Sequence, residues 1–507
     1  MASRELDQQI SQEVDQLVSE CTDTTEQGAP SEDGKQSTAT RLVNLAMQSY
    51  RFGSSSDGDK FAVALNTSHV ATPLSGDRLQ DELAKKYFQE TGKVAGGQAL
   101  RDALAVISGM CADSDPEDIH LRIGQDQDGT VWVFMADEQN HAIHLTPQGW
   151  GVQACAPVLF KKTALTAPFP YPADFGDLAP LWELLNFNTQ DRPLVVAWIM
   201  AALLRPNIPH PVAALFGEQG SGKSTATRRL AALIDPSHVP TRRPPTRQDE
   251  WPATLANSYG VAIDNLSGIP AWLSDALCRA VTGDGDVRRK LYTDGDVSIF
   301  SYRRVILLNG IDVGAIKGDL AERLIIFNLE RFTSNRKTEA ELAQKWQQSY
   351  PAIFAGLLDL ACKCLARLEP FTPQASGETV PRMADFGRIL QAVDAELGTD
   401  GMTRYLEQPK QVAANALEAE PFLKEMLPAI GDGWSGTIGA LLERLENQPT
   451  VRSWVKGWPR SGQAAIGIIK RNAPALRALG WSVEQGGYNT HLKQNIWYIA
   501  PQPKGGM

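Results

Sequence analysis

Eight residues constrain this chain more than any others: Gly217-Glu218-Gln219-Gly220-Ser221-Gly222-Lys223-Ser224. An apolar run, Val212 to Phe216, leads into them, and Thr225 to Leu233 follows with helical spacing. That order predicts a buried strand, a glycine turn and a helix, the setting in which a G-x-x-x-x-G-K-[ST] pattern cradles phosphate. Glycines let backbone N–H groups approach a phosphate chain without Cβ clashes. The helix N-terminus, starting near Thr225, adds partial positive charge. Lys223 is spaced to reach the outer phosphates, and the Ser224 hydroxyl to hold Mg²⁺. The alternative is a Gly/Ser loop with a chance lysine, and the complete pattern with matching flanks weighs against it.

At 507 residues the chain has room for about three domains. Its net charge of -10 opposes wholesale coating of nucleic acid but leaves room for a local basic channel. Six cysteines scattered over this length imply no disulfide framework, which fits a reducing, cytoplasmic setting. Cys362 and Cys364 are close, but no second pair completes a zinc site. The polar, acidic N-terminus does not read as a signal peptide. The longest apolar run, Leu194 to Leu204, is too short to span a bilayer and reads as a buried helix.

Residues 1–40 read as a disordered acidic tail. Residues 41–150 read as a small α+β accessory domain, with helices over Leu79–Phe88 and Gln98–Ser108. A β-meander over Ile119–Ile123, Val131–Met135 and His141–Leu145 completes it. Asp126 and Asp128 raise the question of a two-metal site, but no matched carboxylate accompanies them, and a solvated hairpin turn accounts for them. His141 and His144 lie three apart, which on a strand turns them to opposite faces. A Pro-rich connector over 151–184 precedes a core over 185–335. The basic loop Thr241–Arg247 reads equally as a polyanion contact or as solvated surface.

Within that core, Val261-Ala262-Ile263-Asp264 is an apolar strand ending in a carboxylate, placed to hold Mg²⁺. Asn265 follows where a second acid would activate water; an amide orients water but cannot take its proton. Glu218 is a candidate base in its place. A hairpin over Val287–Phe300 carries Arg288, Arg289 and Lys290 at its base, where a solvated strand edge is one reading of them. A buried strand then ends in Asn309, placed to polarise water or sense phosphate, and Arg323 follows in Asp319-Leu320-Ala321-Glu322-Arg323.

In this order the phosphate loop, strand-Asp, Thr282-Gly283-Asp284-Gly285-Asp286 with its hairpin, strand-Asn and Asp-Leu-Ala-x-Arg resemble superfamily 3 helicases of the AAA+ class. The likeness is to primase-helicase NTPases of phages, integrative elements and poxvirus type. Asp264-Asn265-Leu266-Ser267 and Leu291-Tyr292-Thr293-Asp294 are similar to prophage ATP-binding members. The resemblance implies an α/β fold with a P-loop AAA+ parallel sheet, and ATP with Mg²⁺ at the subunit interfaces of a hexameric ring. Lys223, Ser224 and Asp264 would bind Mg²⁺-ATP, Asn309 would be the sensor, and Arg323 would reach into a neighbour's site. The hairpin would grip single-stranded DNA in the pore, although its tip, Thr293-Asp294-Gly295-Asp296, is acidic and repels phosphates. A GTPase reading of Asn309-Gly310-Ile311-Asp312 lacks the expected lysine.

Residues 336–409 read as a helical lid and linker. Residues 410–507, helices followed by a hairpin, resemble a winged helix, which the prophage family also carries here. Lys470, Arg471 and Arg477, read as one helix that Pro474 kinks or divides, and Lys493 are candidates to meet phosphates in a DNA groove; a winged helix used for protein contacts is the alternative. The whole implies an ATP-dependent DNA helicase or translocase of a phage or mobile element. No primase centre is evident, so priming would need a separate protein. An ATP-switched DNA-binding scaffold, with weak hydrolysis and no unwinding, is the other reading.

Overall fold

The structure is a computed structural model. It describes residues 36–66, 69–283, 286–289, 297–300, 302–310, 316, 318–331, 338–368, 382–449, 451, 453, 455–489 and 494–502. The chain opens with α1 (Thr38–Ser49), capped by Ser37, whose hydroxyl accepts the Thr40 N–H. The tail boundary at residue 40 therefore falls inside a helix. Strands β1 (Tyr50–Ser54), β2 (Lys60–Ala64) and β3 (Ala71–Pro73) form an antiparallel sheet. Helices α2 (Asp77–Thr91) and α3 (Gly97–Ala112) pack against α1 through Leu42, Leu79, Leu83 and Ile107, all buried.

The run Ile119–Ile123 is not one strand. β4 (Ile119–His120) pairs in parallel with β9 (Leu159–Phe160). β5 (Ile123–Gln125) instead begins an antiparallel meander with β6 (Val131–Phe134), β7 (Ala142–Thr146) and β8 (Gly149–Gln153). At the break sits Arg122, fully buried. It donates to Asp235 Oδ1 at 2.9 Å and to the Phe134, Ala167 and Pro236 carbonyls at 3.0, 3.0 and 2.9 Å. One face of the meander, with Ile123, Val133 and Ile143, joins the central core. The meander strands over 123–153 thus belong to the central body, and a boundary at 150 cuts through β8. The Asp126 carboxylate accepts the Asp128 and Thr130 N–H groups and the Trp132 indole, a turn-closing role.

The Pro-rich connector is stitched down. Phe169 N–H donates to Met135 O at 2.9 Å and Asp177 N–H to Ala352 O at 2.9 Å. Helices α4 (Ala179–Leu184) and α5 (Arg192–Leu204) follow, and α5 is buried on every side. Next come β10 (Val212–Phe216), α6 (Lys223–Ile234), α7 (Trp251–Ala256), β11 (Gly260–Leu266) and α8 (Ala271–Thr282). The hairpin β12 (Asp286–Arg289) and β13 (Val297–Phe300), then β14 (Val305–Gly310), α9 (Gly318–Ala321) and β15 (Leu324–Asn328), complete this part.

Four of these strands form a parallel sheet in the order β11-β14-β10-β15. Because strand side chains alternate, Ala213 and Leu215 face the core shared with α5 and α6, whereas Val212 and Ala214 face the core shared with α7 and α8. Both faces are covered, as parallel strands of continuous apolar sequence require.

Helices α10 (Glu339–Leu368), α11 (Ala384–Leu397) and α12 (Gly401–Ala419) bury Phe354, Leu358, Phe386 and Leu390 in the same core as α5. The segment read as a lid is therefore part of the central body, and the boundary at 410 falls inside α12. The linker over Pro370–Pro381 lies outside the described residues. The Gln408 amide bonds both ways to edge strand β15, accepting from Ile326 N–H and donating to Ile326 O, each at 2.9 Å. A side-chain amide thus occupies the place of a neighbouring strand.

Beyond Glu420 the chain forms α13 (Pro421–Ile430), β16 (Trp434–Gly436), α14 (Ile438–Glu446), α15 (Gly462–Arg471), α16 (Ala473–Ala478), β17 (Trp481–Asn489) and β18 (Gln494–Pro501). Its antiparallel sheet, β16-β18-β17, closes a separate core with Phe422, Leu441, Ile469 and Ile499. Among the described residues no helix is long and apolar enough to cross a membrane.

Candidate functional site

The glycine loop lies at the carboxyl end of β10, which runs between β14 and β15. At Gly217 an added Cβ would stand 2.4 Å from Leu329 O, so only glycine lets the loop pass β15. Gly222, at φ 82°, turns the chain into α6 in the left-handed region. Glu218, Gln219 and Gly220 are exposed, Ser221 is buried, and Thr225 is half-buried. Lys223 opens α6, and its ammonium donates back to Gly217 O at 2.6 Å and Glu218 O at 2.7 Å. Partial burial holds its pKa below the usual lysine range, against the pull of Asp264. Ser224 Oγ donates to Asp264 Oδ1 at 3.0 Å, although 40 residues separate them. A hydroxyl and a carboxylate in contact beside an ammonium are a donor set that suits Mg²⁺ and phosphate.

Asn265 has φ 62° and an exposed side chain. Its N–H donates to Asn309 Oδ1 at 2.8 Å, and Asn309 Nδ2 donates to Thr227 Oγ1 at 2.8 Å. Asn309 is 1% exposed. With both ends of its amide engaged, Asn309 is turned inward as a brace between β11, β14 and α6, not outward toward a phosphate. The β11–β14 register shifts between Ile263 and Leu266, so the left-handed turn at Asn265 makes a bulge that aims Asp264. Asn265→Gly is expected to keep Mg²⁺-dependent nucleotide binding, because glycine adopts this conformation freely. Asn265→Val, for which φ > 0 is strained, is expected to lose it at least about ten-fold. Titration with a fluorescent nucleotide separates the two; equal affinities would sink the link between bulge and Asp264.

Arg323 immediately precedes β15, and Leu324 pairs with Val212, the first residue of β10. Arg323 and the glycine loop are therefore at opposite ends of the sheet, roughly 15–20 Å apart at strand rise. Arg323 donates to Asp319 O at 2.8 Å and pairs with Asp319 Oδ1 at 2.5 Å. Its guanidinium is the chief reason the Asp319 pKa lies below the usual carboxylate range. Arg382 shares Asp319 at 2.9 Å and also pairs with Glu322. No arm of Arg323 reaches the loop of its own chain.

Three supports around the loop carry no sequence signal. Arg242 receives the Asp264 N–H on its carbonyl at 2.8 Å and donates its own N–H to Ala262 O at 2.9 Å. Its guanidinium bonds Ser258 and Thr254 O, so this residue of the basic loop props the outer edge of β11. Asn186 donates to Glu330 O at 2.7 Å and Ser221 O at 3.4 Å, behind the glycine loop. Arg229 donates to Leu184 O at 2.6 Å and Leu342 O at 3.0 Å, tying α6 to α4 and α10.

Residues 178–411 match the family model described as actinomycete integrative conjugative element replication protein. Residues 422–504 match the model of the C-terminal domain of that element's RepA. The chain carries a RepA replication-protein domain. No curated protein matches it. Among solved structures, one described as the A form apo structure of the NrS-1 C-terminal region shares 13% identity, covering 91% of this chain and 99% of that one, with a TM-score of 0.43. A second apo structure of that region shares 12%, covering 92% and 100%, with a TM-score of 0.41. Likeness at that level establishes no fold.

The RepA domain contains the parallel sheet, the glycine loop and Arg323, and its match ends within α12. The RepA C-terminal match begins inside α13. Of the nucleic-acid candidates, Arg288 and Arg289 lie on β12, opposite Ser298 and Val297. Lys290, the acidic tip and Lys493 lie outside the described residues. Lys470 and Arg471 end α15, while Arg477 belongs to α16, so the three do not share one helix. Asn472 ends the first helix and Pro474 starts the second. The Lys470 ammonium lies 5.0 Å from the Trp497 ring centroid.

Proposed function

We propose that the chain is an ATP-driven motor of mobile-element DNA replication, an AAA+ P-loop ATPase acting as a ring on DNA. The observation that carries this reading is the Ser224–Asp264 contact at 3.0 Å beside Lys223, at the head of α6. Ser224 and Asp264 would hold Mg²⁺, and Lys223 would leave its loop carbonyls for the phosphates. Bound there, the ion would neutralise charge on the phosphate chain. The parallel order β11-β14-β10-β15 and the RepA match support the reading. Arg323, unable to reach its own loop, completes a neighbour's site and supplies the cation that stabilises transition-state charge. That requires a homo-oligomeric ring, in our reading a hexamer. Asn265 orients water, and Glu218 in the exposed loop is the candidate proton acceptor.

The order helix, strand, three helices and hairpin over α13 to β18 supports a winged helix that meets duplex DNA, while the β12–β13 hairpin meets a single strand. We place the protein in the cytoplasm with a separate primase. The scaffold reading, in which nucleotide switches assembly without unwinding, is favoured by Asn265 and by the pairing of Arg323 with Asp319.

The test is ATP hydrolysis and fork unwinding by wild type, Lys223→Ala, Arg323→Ala and a mixture of the two variants. Each variant alone is expected to be inactive. Mixed, an Arg323→Ala loop can meet the intact Arg323 of a Lys223→Ala neighbour, and activity is expected to recover in part. No recovery would rule out Arg323 acting between subunits. Nucleotide-dependent assembly with neither hydrolysis nor unwinding would favour the scaffold.

A further inference from the structure

A cavity of about 970 Å³ lies between the amino-terminal helices and the meander, built from elements that take no part in the glycine loop. Arg78 and Lys86 of α2 line it, with Lys162 after β9, His69 before β3 and Asn140 from the β6–β7 turn. Lys86 Nζ stands 4.6 Å over the Tyr50 ring, and Lys162 Nζ donates to Asp137 O at 3.0 Å. Arg78 pairs with Glu82 at 3.2 Å, and the other Glu82 oxygen accepts the Tyr50 hydroxyl at 2.6 Å. The second carboxylate of the wall, Glu138, is exposed.

Two buried polar atoms of this wall have no partner. His69 is 2% exposed, and its Nδ1 accepts the Ala156 N–H at 3.2 Å. The ring proton therefore sits on Nε2, which has no acceptor. Burial keeps this imidazole neutral, its pKa pushed down to about 4. Asn140 Oδ1 is buried without a donor, in a residue held at φ 59°. Ala136 in the same turn is held at φ 56°. Such backbone strain persists where the surroundings impose it, often around ligands.

These groups narrow the ligand. The three cations call for an anion. A bare anion offers only acceptors, which suit the cations and His69 but leave the Asn140 carbonyl oxygen unmet. A nucleobase edge carries donors as well as acceptors, and a nucleotide joins such an edge to a phosphate. The volume is in the range of small-molecule sites.

We propose that this cavity is a second binding site, for a nucleotide unit, either free or at the end of a DNA strand. Arg78, Lys86 and Lys162 take the phosphate, and Asn140 takes a donor of the base edge. The test uses the full chain with Lys223→Ala, so that the glycine loop and the cavity remain distinguishable. The probes are a deoxynucleoside monophosphate, which has no outer phosphates, and a 5′-phosphorylated ten-nucleotide single strand. Arg78→Ala with Lys86→Ala, at an exposed and a half-buried position of α2, is expected to weaken binding at least ten-fold. Asn140→Gly suits the left-handed backbone, so the fold survives, and it is expected to flatten the preference among bases. Binding of the monophosphate identifies a free nucleotide as the ligand. Binding of the strand alone, with the same loss in the double variant, identifies a strand end. The proposal is overturned if neither probe binds, or if both variants bind as the Lys223→Ala chain does.

Discussion

Lys223→Ala is expected to lower ATP turnover at least about 100-fold, the scale on which a single group aimed at developing charge contributes to catalysis. The fold should survive. In the wild type the ammonium bonds two loop carbonyls, at 2.6 and 2.7 Å, with the Ser221 hydroxyl at 3.5 Å, and the side chain is half-buried at the surface. Removing it forfeits about 1 kcal/mol of net hydrogen bonding, with both carbonyls close enough to the surface to be rehydrated. Thermal unfolding within a few degrees of wild type, beside lost hydrolysis, is the signature. Hydrolysis above a third of wild type would mean that Lys223 merely closes the loop. The same substitution should weaken triphosphate binding more than monophosphate binding, because only the outer phosphates draw the ammonium away from Gly217 and Glu218.

Arg122→Ala is expected to cost about 3–5 kcal/mol of stability, the range for breaking a buried ion pair from one side. Its side chain is 0% exposed and Asp235 is 10% exposed. Truncation strands the Asp235 charge and leaves the carbonyls of Phe134, Ala167 and Pro236 without this donor. The effect should reach the site. Asp235 Oδ2 accepts the Tyr259 and Gly260 N–H groups at 2.9 Å each, which fixes the entry of β11, the strand that ends in Asp264. Denaturant unfolding followed by tryptophan fluorescence measures the loss. A change below about 1 kcal/mol would show that this network is rehydrated and not truly buried.

Some of this was legible along the chain. The glycine loop, its strand and its helix are local grammar: turn residues, an apolar run and a helical stripe meet within about twenty positions. Val261–Asp264 and Val305–Asn309 were legible as strands because buried parallel strands are continuous apolar runs. Other features depend on partners distant in sequence. The helix Arg192–Leu204 is apolar all round, which says it is surrounded but not by what. Only the fold shows α10 and α11 doing so, and they are thereby part of the core. Alternation over 119–123 looked like one strand, yet the chain breaks there because Arg122 has partners 113 and 114 residues away. Asn265 is compatible with either sign of φ, so the bulge that aims Asp264 has no sequence signature.

The sequence by itself determined the glycine loop and the order of its groups from Gly217 to Ser224, the ones our reading assigns to phosphate, because a turn between strand and helix depends on residue type and adjacent spacing. Tertiary structure alone decided three further things. It brought Ser224 within 3.0 Å of Asp264. It turned Asn309 inward, since a buried amide must satisfy both its donor and its acceptor. It also set Arg323 at the far end of the sheet, because parallel strands in register send residues before β15 and after β10 to opposite edges.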